Sequence, residues 1–300
     1  MDVSIIIVNY KTVNLISDCI KSIKKNTTGI SYEIIVVDNN SGDNCKSVFS
    51  QVFGSENGIV CVDLDENVGF GQGNNAGFKI AKGRNVICLN PDTILLNNAL
   101  KILSDYLDQH PEVGVCGGNL YDEDLKPTLS YATFFPSISH ELDELSHGML
   151  SRSQNGESTK FNHTGRVLPV AYITGADLMT RKAIIEETGG FSPAFFMYYE
   201  ETDLTKRIKE IGYSVHSVPE AKIQHLEGRS FQPATVNERK IKLSEQGRRT
   251  YYRRHYPAYY RLVANTVYGV FLLSRYLLFK MKGSKRASAF RCRLKYFHIM

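Results

Sequence analysis

One phrase repeats through the first 116 residues of this chain and restricts what it can fold into. Short runs of β-branched and apolar residues at 3–8, 33–37, 59–64, 86–89 and 113–116 alternate with stretches of helical apolar spacing at 15–23, 45–52, 73–81 and 99–107. The runs are rich in β-branched residues, which predicts strands covered on both faces; the helices between them predict βαβ units. The expected fold class is therefore α/β: a Rossmann-like, mostly parallel sheet with helices on both faces. Such sheets bind ligands beyond the carboxyl ends of their strands. That rule directs attention to Asn9 and Tyr10, to Asp38, Asn39 and Asn40, to residues 65–71, and to Asn90, Pro91 and Asp92.

Past residue 116 the pattern changes. Residues 121–168 lose periodicity and are rich in Ser, Asn and His, which predicts a long loop with small strands or helices. Order returns at 170–181, and 201–211 reads as a helix: Leu204, Ile208 and Ile211 share a face and Gly212 stands at the expected terminating position.

Several of these residues admit both a structural and a chemical reading. Asp38 is placed to cap a turn or to accept the ring N–H of a pyrimidine base. Gly71, Gly73 and Ala76 satisfy G-x-G-x-x-G/A, with Asp92 about 20 residues on. That pattern expects its first glycine directly after the strand, whereas 65–69 intervenes here; a nicotinamide-dependent oxidoreductase is the weaker reading. The glycines still imply close approach of backbone to a ligand, with a helix beginning near Gly73 aiming its N–H groups at an anion. Asp92 closes its strand either as part of a simple turn or as a hard carboxylate suited to Mg²⁺ or Mn²⁺. His225 is the natural partner, although spacing alone does not bring the two together. Glu200, Glu201 and Asp203 gather at a helix start, where acids stabilise the N-terminus and where crowding raises a pKa toward that of a general base.

Charge separates the chain into two parts. Its net charge is only +5, yet residues 239–300 carry 16 Lys and Arg against the single acid Glu245. Tyrosine and arginine interleave at 248–261, but no recognition module accompanies them, so nucleic acid is not the expected partner. Residues 262–281 are long enough to span a bilayer, but Asn265, Arg275 and Lys280 make spanning costly. Lying in the membrane interface fits better; the alternative is a helix packed on the rest of the protein or on a dimer partner. Six cysteines without a C-x-x-C pair read as buried thiols, and the N-terminus carries no basic region before its apolar run, so a cytosolic site is expected.

As an ordered set these motifs resemble the family 2 inverting glycosyltransferases, particularly the bacterial rhamnosyltransferase-like branch. The resemblance rests on 4–10, 36–41, 67–71, 89–93, 174–176, 189–191, 196–204 and 225–230, and spans roughly residues 3–235. It implies a GT-A fold with a catalytic domain at 1–235 and a basic, tyrosine-rich helical tail at 236–300. It also implies a donor site drawing on Asn9, Tyr10, Asp38, Asn67, Gly69, Gly71, Asn74, Asn90 and Asp92, with Asp38 on the nucleobase. Asp92 would be the surviving metal ligand of a D-x-D motif and His225 the second, for Mn²⁺ or Mg²⁺; Glu201 would be the base, with Glu200 and Asp203 as alternatives. Two departures stand out: Asn90 replaces the first Asp of D-x-D, and Glu201 stands where Asp is commoner. The implied partners are a nucleotide-diphosphate sugar, a lipid-linked or polysaccharide acceptor and the inner face of the cell membrane; self-association and a non-catalytic sugar-nucleotide or membrane-binding role stay open.

Overall fold

A computed structural model of the protein describes residues 1–54, 58–226 and 237–297. The alternation read from the sequence is realised as β1 (Val3–Asn9), α1 (Val13–Asn26), β2 (Tyr32–Asp38), α2 (Cys45–Phe53), β3 (Ile59–Asp63), α3 (Gly69–Ile80) and β4 (Asn85–Leu89). A short β5 (Thr93–Leu95) precedes α4 (Ala99–Gln109) and β6 (Val113–Tyr121). The region without periodicity holds β7 (Tyr131–Ala132), α5 (Ile138–Leu145), α6 (Met149–Asn155), β8 (Leu168–Pro169) and β9 (Tyr172–Ile173). Then follow β10 (Asp177–Arg181), α7 (Lys182–Thr188), α8 (Glu200–Glu210) and β11 (Ser214–His225), and the chain closes with α9 (Glu238–His255), α10 (Ala258–Met281) and α11 (Arg286–Tyr296).

The main sheet runs β3-β2-β1-β4-β10-β6-β11-β5, with β8 beside β11. Strands β3, β2, β1 and β4 are parallel, as is the β6–β11 pair, while β10 and β5 run against their neighbours. Every residue of β1 is buried. Ile5 and Ile7 face α1, α2 and α4 through Ile16, Ile20, Phe49 and Leu103. Ile6 faces α3, α7 and α8 through Phe78, Ile185 and Leu204. Each such side chain contributes roughly 1.5–3 kcal/mol by leaving water, so the two-sided run fixes β1 at the centre. Because β2 and β4 flank β1, the strand order reverses there and opens a crevice beyond their carboxyl ends.

The C-terminal helices are not an independent tail. Tyr251 and Tyr252 of α9 pack with Phe195 and, from α10, Ala264 into a third apolar cluster that includes Phe135, Ile138 and Tyr199. Beside it a buried polar knot forms: the Arg248 guanidinium donates to Glu141 Oε1 at 2.7 Å and to Asn265 Oδ1 at 2.8 Å, and the Tyr252 hydroxyl donates to the same Glu141 oxygen at 2.8 Å. The expected boundary at 235/236 lies outside the described residues.

Candidate active site

At the carboxyl ends of the central strands lies a cavity of ≈ 490 Å³. Tyr10, Asn67, Gly69, Asn90, Asp92, Glu200, Glu201 and His225, all singled out from the sequence, line it.

Asp92 and His225 are brought together by strand pairing. Strand β11 runs antiparallel to β5 with His225 opposite Thr93, and Leu226 N donates to Asp92 O at 2.9 Å. This places His225 Nε2 3.3 Å from Asp92 Oδ1 and 3.2 Å from Asn90 Nδ2. Asp92 and His225 are each 8% exposed, so the little surface they keep faces the cavity. Behind them Asp177 is wholly buried in β10; burial pushes its carboxyl up to about 7, against a hydrogen bond from Gly118 N and the nearby His225.

The acids come from a strained turn. Tyr198 and Tyr199 take consecutive φ values of 71° and 73°, a left-handed conformation unfavourable for aromatic residues. Helix α8 starts immediately afterwards, one residue before the expected start. Both Glu200 and Glu201 reach the cavity. Burial, then repulsion from Glu201, holds the Glu200 carboxyl well above the usual carboxylate range, and its Oε2 has no hydrogen-bond partner among the described residues. Burial also raises Glu201, against hydrogen bonds from backbone N–H groups and from Thr202.

Asp203 behaves differently and does not reach the cavity. It points away at 0% exposure and meets Arg207 Nε at 2.9 Å, Arg254 Nε at 3.1 Å and His255 Nε2 at 2.9 Å. Burial opposes its charge, but the His255 hydrogen bond and the two guanidinium groups outweigh burial and hold the carboxyl below its ordinary value. A carboxylate with three such partners ties α8 to α9 and is poorly placed to take a proton from a ligand.

Four donor-site expectations also change. Asn9 is wholly buried; its amide contacts Asp38 Oδ1 at 3.1 Å, Ser41 Oγ at 2.8 Å and Asp43 Oδ2 at 3.0 Å, while its carbonyl accepts from Thr12 N. It braces the ends of β1 and β2, with Asp38 as one of its anchors, and neither residue lines the cavity. Helix α3 begins at Gly69 rather than near Gly73, so the later glycines sit inside it. A Cβ at Gly71 would stand 2.9 Å from Phe191 Cβ, and one at Gly73 2.9 Å from Val8 Cγ1: these glycines seat the helix and do not line this cavity. Asn74, also in this helix, is wholly buried and donates to Phe70 O at 3.0 Å. Gly69 alone needs its special backbone, with φ at 84° and a Cβ position 2.0 Å from Phe196 O.

Asn39, flagged by its strand-end position but given no role, lines the cavity, as do Thr174 and Met197 from the motifs behind the resemblance; Lys240 lines it with no reason in the sequence to expect it. Asn39 organises the loop by accepting from Val68 N at 2.9 Å and donating to Asn67 Oδ1 at 3.0 Å and Gly69 O at 3.1 Å. Its place directly after the strand-ending Asp38 was the available signal. Nothing local marks Lys240, which reaches the cavity only because α9 packs across it.

Residues 4–184 match the family model described as glycosyl transferase family 2, more than half of the chain. A low-salt glycan biosynthesis hexosyltransferase of Haloferax volcanii is 27% identical over 219 residues, covering 69% of this chain and 62% of that protein. An N-acetylglucosaminyl-diphospho-decaprenol L-rhamnosyltransferase of Mycobacterium tuberculosis is 26% identical over 148 residues, covering 47% of this chain and 46% of that protein. The chain thus spans about half to three-fifths of these relatives' length. In structure, a mannosyltransferase of Pyrobaculum calidifontis, solved with GDP-Man and Mn²⁺, superposes with a TM-score of 0.61 at 15% identity, covering 98% of this chain and 83% of that one. The shared architecture is GT-A.

Proposed function

The chain belongs to glycosyl transferase family 2, and from that membership we propose that it moves a hexose from a nucleoside-diphosphate donor to an acceptor hydroxyl with inversion at the anomeric carbon. One observation carries the reading: the Asp92–His225 pair and the Glu200–Glu201 turn share a single cavity at the switch point of the sheet.

The donor set fits a hard divalent ion. It offers one carboxylate oxygen and one imidazole nitrogen, and among the described residues no group of three His, Cys, Asp or Glu is placed to hold a metal. Mn²⁺ and Mg²⁺ accept so few protein ligands when diphosphate and water supply the rest. Held by Asp92 and His225, such an ion would neutralise charge on the departing diphosphate.

The remaining steps fall to the chain itself. Asn67, the Gly69 backbone and Tyr10 bound the donor side of the cavity, while Asn9 and Asp38 brace the ends of β1 and β2. Glu201 accepts the acceptor's hydroxyl proton as the oxygen attacks the anomeric carbon, the new C–O bond forming as the bond to diphosphate breaks. A single displacement inverts the anomeric configuration. Burial disfavours negative charge on Glu201, so the base gains basicity.

Rhamnose as the sugar and a lipid-linked or polysaccharide acceptor at the cytosolic membrane face are the finer reading; the likeness to the mycobacterial L-rhamnosyltransferase supports the sugar and a lipid-linked acceptor. A panel of nucleoside-diphosphate sugars, scored by nucleotide release with Mn²⁺ and an acceptor lipid extract, tests it. Release from one donor that disappears in Asp92→Asn supports the proposal. No release from any donor, together with binding of NADH, rejects it.

A further inference from the structure

Helix α10 has two unlike faces. Ala264, Asn265, Tyr268 and Leu272 are buried against the rest of the protein. On the other side Leu262, Val263, Val270, Leu273, Leu277 and Met281 are each between 48% and 80% exposed. Val270, Leu273, Leu277 and Met281 follow one another at three or four residues, and Leu262 and Val263 lie two turns earlier on the same side, so all six share one stripe. With Tyr259, 75% exposed, at its start, the stripe runs roughly 33 Å at 1.5 Å per residue. Met149 and Leu150, at the start of α6, add exposed apolar surface; their neighbours Gly148 and Ser151 share a cavity with Arg275 and Leu278 of α10.

The charges around this stripe have one sign. Residues 246–300 contain no Asp or Glu. Lys280, Lys282, Lys285 and Arg286 gather where α10 passes into α11, and none forms an ion pair among the described residues. Two copies meeting through this face would bring like charges together. An anionic bilayer surface matches both the apolar stripe and the basic end.

We propose that α10 lies flat in the headgroup region of an anionic membrane, its outer stripe inserted and its inner face still docked on the protein. By length and composition the helix could cross a bilayer, but its inner face is already engaged. Asn265 Oδ1 accepts from Arg248 at 2.8 Å, the Tyr268 hydroxyl donates to Glu245 Oε1 at 2.6 Å, and Arg275 donates to Leu145 O at 3.1 Å. Spanning would withdraw these partners and leave Arg248 and Glu245 buried without them, a change far costlier than floating the outer stripe at the surface. This docking rests on the preceding functional reading only for its purpose, delivery of a lipid-linked acceptor. Binding is measured here without donor or acceptor, so its failure leaves the transfer reaction standing, and loss of transfer leaves the binding standing.

The protein contains no tryptophan, so the full chain carrying Leu273→Trp reports from a single indole. With phosphatidylglycerol-containing vesicles its emission should shift to the blue, the shift should weaken in high salt, and lipids brominated near the carbonyls should quench it more than lipids brominated at the chain ends. The pair Val270→Asp and Leu277→Asp should weaken vesicle binding roughly tenfold or more while melting temperature and UDP or dTDP binding stay near the parent values. Four results would overturn the proposal: no shift with vesicles, equal binding to neutral lipid, deepest quenching at the bilayer centre, or a lipid-free blue shift that grows with protein concentration. The third identifies a spanning helix and the fourth a second copy of the chain.

Discussion

The Nε2 of His255 lies 2.9 Å from Oδ1 of Asp203, 52 residues earlier in the chain. Through this contact a helix from the basic C-terminal region grips the helix that begins with Glu200 and Glu201. Arg254 meets the same carboxylate oxygen from α9, and Arg207 meets the other from within α8.

Asp203→Asn should therefore lower stability by about 1–3 kcal/mol at neutral pH, because three donors lose a charged acceptor in a buried site. The folded pKa of Asp203 is depressed, so its contribution is present above the unfolded carboxylate pKa and is lost as pH falls through the folded value. Melting curves of parent and variant should converge in acid. A gap that persists below the carboxylate range would show that something other than charge is at work.

Glu201→Gln preserves shape and removes proton acceptance, so kcat should drop by roughly 10²–10⁴ with nucleotide affinity little changed. The acid limb of the parent pH–rate profile should lie above the ordinary carboxylate range, since burial raises this group and only its ionised form is active. Near-normal turnover in Glu201→Gln, with Glu200→Gln inactive, would transfer the role to the neighbour.

Glu200→Gln should stabilise the fold at neutral pH. The raised folded pKa of Glu200 means that its neutral form suits the native state; stability is retained below the unfolded pKa and falls as pH rises toward the folded one. Because Glu200 is already neutral where Glu201 titrates, the acid limb set by Glu201 should stay near its parent position in this variant. A variant no more stable at pH 7 than at pH 4, relative to the parent, would contradict this account.

Chelation by EDTA should abolish activity and Mn²⁺ or Mg²⁺ should restore it. Asp92→Asn should cost roughly 10²-fold or more in kcat/KM at fixed metal, partly recovered by excess Mn²⁺. Full turnover in chelator would remove the metal from the mechanism.

Gly69→Ala should destabilise by about 3 kcal/mol or more, since a methyl group there meets Phe196 O at a left-handed φ. Gly54→Ala supplies the control, with φ at 86° and no atom within 4 Å of the Cβ position. Similar melting temperatures for the two variants would show that backbone conformation, not the Phe196 contact, sets the cost.

The sheet was readable in the sequence because β1, β2 and β4 are built on runs of β-branched and apolar residues and their helices keep the 3.6-residue period. Those signals are local. The cavity was legible as far as strand ends reveal it: Tyr10, Asn67, Asn90 and Asp92 all lie there. The role of Asp203 was not legible, because Arg254 and His255 reach it through a packing of α9 that no local pattern encodes. Gly71 and Gly73 misled for a related reason. A glycine that admits a ligand and one that admits Val8 or Phe191 look alike until the sheet is placed behind the helix.

The buried Glu141–Arg248 pair bears on how far this protein can be exchanged in parts. Glu141 sits in the middle region and Arg248 in the C-terminal one, so each half carries a charge that only the other neutralises. A shortened enzyme ending at residue 235 would leave Glu141 without its guanidinium, Asp203 without His255, and Tyr199 without the ring of Tyr251. Recombination between relatives succeeds only if the joint respects these pairs: a foreign C-terminal region must arrive with its own answers to Glu141 and Asp203. The modular unit for exchange is the pair of contacts, and the chain position of the cut is secondary.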